Sequence, residues 1–153
     1  MYKLLYVCLI ISFPSFSLNM NGSSDKVQLL KVKQEYENQI YQCQLLENRK
    51  LKPINDPWLN SLTLERKKII LNELNNAALR RCIIKKEKDF TYKLLDYTAK
   101  TGDKLFINSW LIFKSALYGE RDNLLLTEIE QKNINRLTGL PKYYYPFNIE
   151  SVT

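Results

Sequence analysis

The sequence predicts an all-α protein: a small bundle of four to five helices with one disulfide and an extended, aromatic C-terminal tail. Three observations point there. Apolar residues recur three and four apart along segments that proline and glycine separate. Two cysteines, Cys43 and Cys82, fall on the apolar stripes of successive helical segments. The helical pattern stops at Gly139 and Pro141, and the remainder is LPKYYYPFNIESVT.

Residues 1–17 have the three parts of a secretory signal peptide. Lys3 supplies the positive start, Leu4 to Phe13 is an apolar run, and Ser15 and Ser17 are the small residues of a cleavage site. The run is shorter than the roughly 20 residues a spanning helix needs, and Pro14 interrupts it. Cys8 leaves with this leader, and residues 18–153 form the expected single helical domain. The expected destination is periplasmic or secreted.

The first helix is expected from Asp25 to about Arg49, capped by Ser23 or Ser24. Leu29, Val32, Tyr36, Ile40, Cys43 and Leu46 make its inward stripe. Pro53 and Pro57 then exclude a regular helix. Asp56-Pro57 reads as a cap followed by proline at a first helical position, starting one turn from Pro57 to Ser61 with Trp58 packed inward.

Thr63 can cap the next helix, which covers Leu64 to Thr101. Leu71, Leu74, Ala78 and Cys82 form its core stripe, with Leu64, Ile70 and Ile83 in support. The apolar signal lapses from Lys85 to Asp89 and resumes at Phe90, Leu94, Tyr97 and Thr98. That pattern fits either one helix or two with a bend near Glu87. Gly102 suits a helix C-cap.

Asp103 can cap a helix from Lys104 to Tyr118 that is apolar nearly all round. Such a helix is expected to be central and buried; a partner-facing groove is the functional alternative. The last helix is expected from Glu120 to Leu137, with Leu124, Leu125, Ile129, Ile134 and Leu137 inward.

Of the three cysteines, Cys8 leaves with the leader, and the two that remain in an exported chain favour a Cys43–Cys82 bridge. It would close a loop of about 40 residues, worth about 4 kcal/mol on the chain-entropy account. Cys43 lies about six residues before its helix ends, and Cys82 about nineteen into the next. Those offsets are roughly 9 Å and 28 Å along the axes. The linker 50–63 must therefore run alongside the bundle, or the two helices must cross steeply.

The chain holds no histidine, which removes Ser-His and Cys-His catalysis, imidazole metal sites and a histidine pH switch. The four glycines are isolated, so no phosphate loop is present. No cofactor and no metal are expected. Carboxylate pairs can hydrolyse glycosidic bonds without histidine, and Glu120, Asp122, Glu128 and Glu130 are the candidates for a peptidoglycan-active enzyme. Acids at a helix start are more ordinarily capping and solubility residues.

The formal charge is +7, from 23 Lys and Arg against 16 Asp and Glu. No nucleic-acid motif accompanies it. The expected partner is therefore an acidic protein, with peripheral contact to an anionic envelope surface a further option. The leading expectation is a non-catalytic protein-binding module. It would serve as an inhibitor or immunity-type protein, or as an accessory factor of an envelope secretion or pilus system. The contact residues expected are Tyr143, Tyr144, Tyr145 and Phe147, joined by Arg80, Arg81, Lys85 and Lys86. A strap that packs back over the bundle is the purely structural reading of the aromatic tail.

Overall fold

A computed structural model describes residues 24–52, 55–118 and 126–152, without the side chains of 116–118. The leader expected at 1–17 lies outside these residues, as do Glu120, Asp122, Leu124 and Leu125. The described residues form five α-helices and no strand: α1 (Ser24–Leu45), α2 (Pro57–Ser61), α3 (Leu64–Thr101), α4 (Leu105–Tyr118) and α5 (Glu128–Thr138).

The longest element is α3, whose 38 residues span about 57 Å and form one uninterrupted helix. Residues 64–101 contain neither proline nor glycine, so nothing in them breaks the backbone ladder. Thr63 caps its start by accepting from the Arg66 N–H at 3.3 Å. Gly102 ends it in the left-handed region, at φ 71°, with its N–H donating to the Thr98 carbonyl. The apolar lapse near Glu87 is no bend. Lys86 pairs with Glu35 of α1, and Glu87 is buried against Lys114 of α4.

Helix α1 runs antiparallel to α3. Asp25 meets Lys100, Glu35 meets Lys86, and Cys43 is bonded to Cys82 with 6.1 Å between their Cα atoms. As residue numbers rise on α1 they fall on α3, so α1 covers the C-terminal half of α3 and stops level with Cys82. The rest of α3, about 27 Å toward its N-terminus, is covered by other elements. The linker runs alongside this half, the first of the two arrangements that the cysteine offset allows. Leu51, Trp58, Leu59 and Leu62 pack there with Ile70, Leu71 and Leu74. Asp56 caps α2, with Pro57 in its first turn, and also receives Arg136 of α5 at 3.0 Å.

Two apolar clusters result. The lower one joins the linker, the N-terminal half of α3, α5 and the tail through Leu59, Leu71, Leu137, Tyr143 and Phe147. The upper one joins α1, the C-terminal half of α3 and α4 through Leu29, Tyr36, Phe90, Leu94, Tyr97 and Trp110. Trp110 meets both Tyr36 and Phe90 edge-on, at 5.5 Å and 5.1 Å.

Several expectations need correction. Helix α4 is peripheral rather than central: Leu105, Leu111 and Ile112 are 67%, 57% and 70% exposed. It follows a short turn and has one side to bury, which takes Phe106, Ile107, Trp110 and Phe113. Leu64 is exposed at the α3 terminus, and Ile129 is exposed on the outer side of α5. The last helix begins at Glu128 rather than Glu120, because Thr127 and Glu130 form a capping box that fixes its start. The tail is not extended. It makes two short 3-10 turns, Pro141–Tyr143 and Ile149–Ser151, and folds back over the lower cluster.

Candidate binding surface

The tail is the strap of the structural reading at two of its four aromatic positions. Tyr143 and Phe147 are fully buried, so they cannot meet a partner as expected. Prolines 141 and 146 turn the chain so that these two rings enter the core, 5.6 Å apart. Burial pushes the Tyr143 phenol pKa up. Tyr144 and Tyr145, between them, face outward at 49% and 50% exposure, and their rings meet edge-on at 5.0 Å.

Three side chains hold this turn in place. Arg49, where the linker starts, donates to the carbonyls of Lys142 at 2.9 Å, Tyr145 at 2.8 Å and Pro146 at 3.2 Å. Arg81 on α3 donates to the carbonyls of Thr138 at 3.1 Å and Tyr144 at 3.3 Å, and its guanidinium lies 4.9 Å over the Tyr144 ring. Asn75 accepts from the Phe147 N–H at 2.9 Å. Guanidinium forks suit such carbonyl clusters because they present several fixed donors at once. Tyr144 and Tyr145 are thus displayed on a turn that these hydrogen bonds hold in place.

The four expected basic residues divide. Arg81 is spent on the tail. Lys86 is held 2.6 Å from Glu35 and ties α3 to α1, so it belongs to the scaffold. It sits about 100° round the helix from Lys85, and that step turns it from solvent to α1. Arg80 and Lys85 are exposed and make no hydrogen bond or ion pair among the described residues. Lys85 stands one turn beyond Arg81 on the same side of α3.

The same side of α3 carries residues that the sequence reading passed over. Ile84, Tyr92 and Leu95 are 42%, 74% and 52% exposed. With Glu87, Lys88 and Thr91 they line a shallow depression of about 420 Å3. Their spacing was the available signal: positions 84, 88, 92 and 95 form a second stripe, opposite the one that meets α1.

The carboxylates are differently disposed. Glu130 accepts from the Arg66 guanidinium at 2.6 Å and from the Thr127 N–H at 2.8 Å and hydroxyl at 2.9 Å. The Arg66 bond, aided by the cap donors against the opposing effect of burial, holds its pKa at about 2. A carboxyl held there has no proton to give near neutral pH. Glu128 is exposed in the first turn of α5. Among the described residues, no group of three or more acids or cysteines could hold a metal, and no helix is long and apolar enough to cross a membrane.

Comparison of the chain with protein-family models, with curated proteins and with solved structures finds no match.

Proposed function

We propose that this chain is an exported, non-catalytic module that binds an acidic protein in the manner of an inhibitor or immunity protein. The observation that carries the reading is the braced Tyr144-Tyr145 turn, with Tyr144 stacked on Arg81 beside the exposed cations Arg80 and Lys85. Tyrosine gives contact area at low entropic cost, and a site ordered in advance loses little more on binding. Basic residues beside it favour encounter with an acidic partner. The disulfide accords with an oxidising compartment, and the leader pattern with export. A preformed, rigid surface suits blocking a partner; an accessory factor of an envelope assembly is the other role the same surface would serve.

The test is capture from an envelope fraction by the full chain and by two double variants. Tyr144→Ser with Tyr145→Ser, and Arg80→Glu with Lys85→Glu, should each abolish capture of a defined partner at unchanged Tm. Equal recovery by both variants would sink the reading.

A further inference from the structure

We propose that the partner docks through an acidic amphipathic helix laid along the outer face of α3, from Arg81 to Leu95. This rests on the protein-binding reading and names the element that does the binding. Three observations lead to it.

The first is an asymmetry in how α3 is covered. Its N-terminal half packs with the linker, α5 and the tail, whereas among the described residues its C-terminal half packs with α1 and α4. The side bearing Ile84, Lys88, Tyr92 and Leu95 faces away from α1, and no element among the described residues packs on it. One added helix would complete the ring around this half, as in a helical bundle.

The second is shape. Ile84, Lys88 and Tyr92 follow each other four residues apart, with Leu95 one turn further on. That row is the kind of ridge that fits the groove of a second helix. From Arg81 to Leu95 it extends about 21 Å, the length of a helix of about 14 residues. Tyr144 stacks on Arg81 at one end, so the aromatic turn and the helix face are continuous.

The third is charge. Lys85 and Lys88 lie along the face, and Arg81, at its end, is engaged with the tail. Its one acid in the depression, Glu87, is already paired with Lys114. An occupant with aliphatic residues toward Ile84, Tyr92 and Leu95, and carboxylates toward the lysines, meets both demands. A second copy does not: a twofold contact here would bring the Lys85 and Lys88 pair of one copy toward the same pair of the other.

The probe is a synthetic 18-residue amphipathic helix with leucines on one face and glutamates beside them. The control has the same composition permuted to abolish the apolar face. Binding to the full chain, disulfide intact, is read by fluorescence anisotropy, and the site by amide chemical shifts. The amphipathic peptide alone should bind, with shifts along residues 81–95. Tyr92→Ser with Leu95→Ser should weaken it about tenfold or more. Both side chains are exposed, so Tm should not move. Equal binding of the permuted peptide, shifts centred on Leu105 and Ile112 of α4, or binding to anionic lipid vesicles in place of the peptide would each overturn the proposal. If the captured envelope partner needs Tyr144 and Tyr145 but ignores the Tyr92 and Leu95 changes, the helix proposal falls and the binding reading stands. If it ignores all four, both fall.

Discussion

Glu130 carries more of the lower half of the molecule than an acid in a first helical turn usually does. It closes the α5 cap through Thr127 and ties α5 to α3 through Arg66. Its pKa falls from the ordinary 4.5 to about 2 on folding. A carboxyl with a depressed folded pKa contributes stability that is fully present above its unfolded value. That contribution drains away as the pH falls from about 4.5 toward 2. The wild-type chain should therefore lose stability across that window, and Glu130→Gln should lose less there while starting lower. Near neutral pH, Glu130→Ala should cost about 2 kcal/mol, from a lost cap and lost charge-assisted bonds. Chemical denaturation at pH 7 and pH 3 checks both; equal acid sensitivity of the wild type and Glu130→Gln would contradict the assignment. Burial decides the roles of the aromatic residues at this scale as well. Tyr143 and Tyr144 are neighbours of the same type, yet one is core and the other surface.

At the scale of elements, the pairing of α1 with α3 depends on apolar stripes, ion pairs at Asp25 and Glu35, and the disulfide near the end of α1. The bridge separates its cysteines by 39 residues. Opening it should cost about 4 kcal/mol on the chain-entropy account. Thermal melts with and without reductant measure this, and Cys43→Ala with Cys82→Ala should reproduce the reduced value. An unchanged Tm would mean that packing alone holds the helix pair. The sequence marked these elements well where caps and breakers are local: Thr63, Asp56-Pro57 and Gly102 all do what their types suggest. It misplaced the start of α5, because acids from Glu120 onward look as favourable as Glu128, and the capping box at Thr127 went unread. It also misread α4, since an apolar surround says nothing of how many sides find a neighbour.

At the scale of the whole molecule, two apolar clusters share α3 as their common wall. The tail belongs to one of them. Phe147→Ala, in a fully buried position, should cost about 3–5 kcal/mol. Native-state hydrogen exchange should then show protection lost mainly in residues 64–78 of α3, with residues 83–97 retaining more. Equal loss along the helix would show that the two clusters open as one unit.

Sequence by itself determined the all-α class, favoured the Cys43–Cys82 pairing, and narrowed residues 64–101 to one helix or two and the linker to a path along the bundle or a steep helix crossing. Each of these follows from periodicity, caps or chain length, which act between near neighbours or along a single axis. Tertiary structure alone decided that residues 64–101 are one helix, which tyrosines are buried, which lysines are paired, and which face of α3 is left without a neighbour among the described residues. Those outcomes depend on which elements meet across the fold. Arg81 was legible as a cation on a helix, but it stands beneath Tyr144 only because the tail returns over α3.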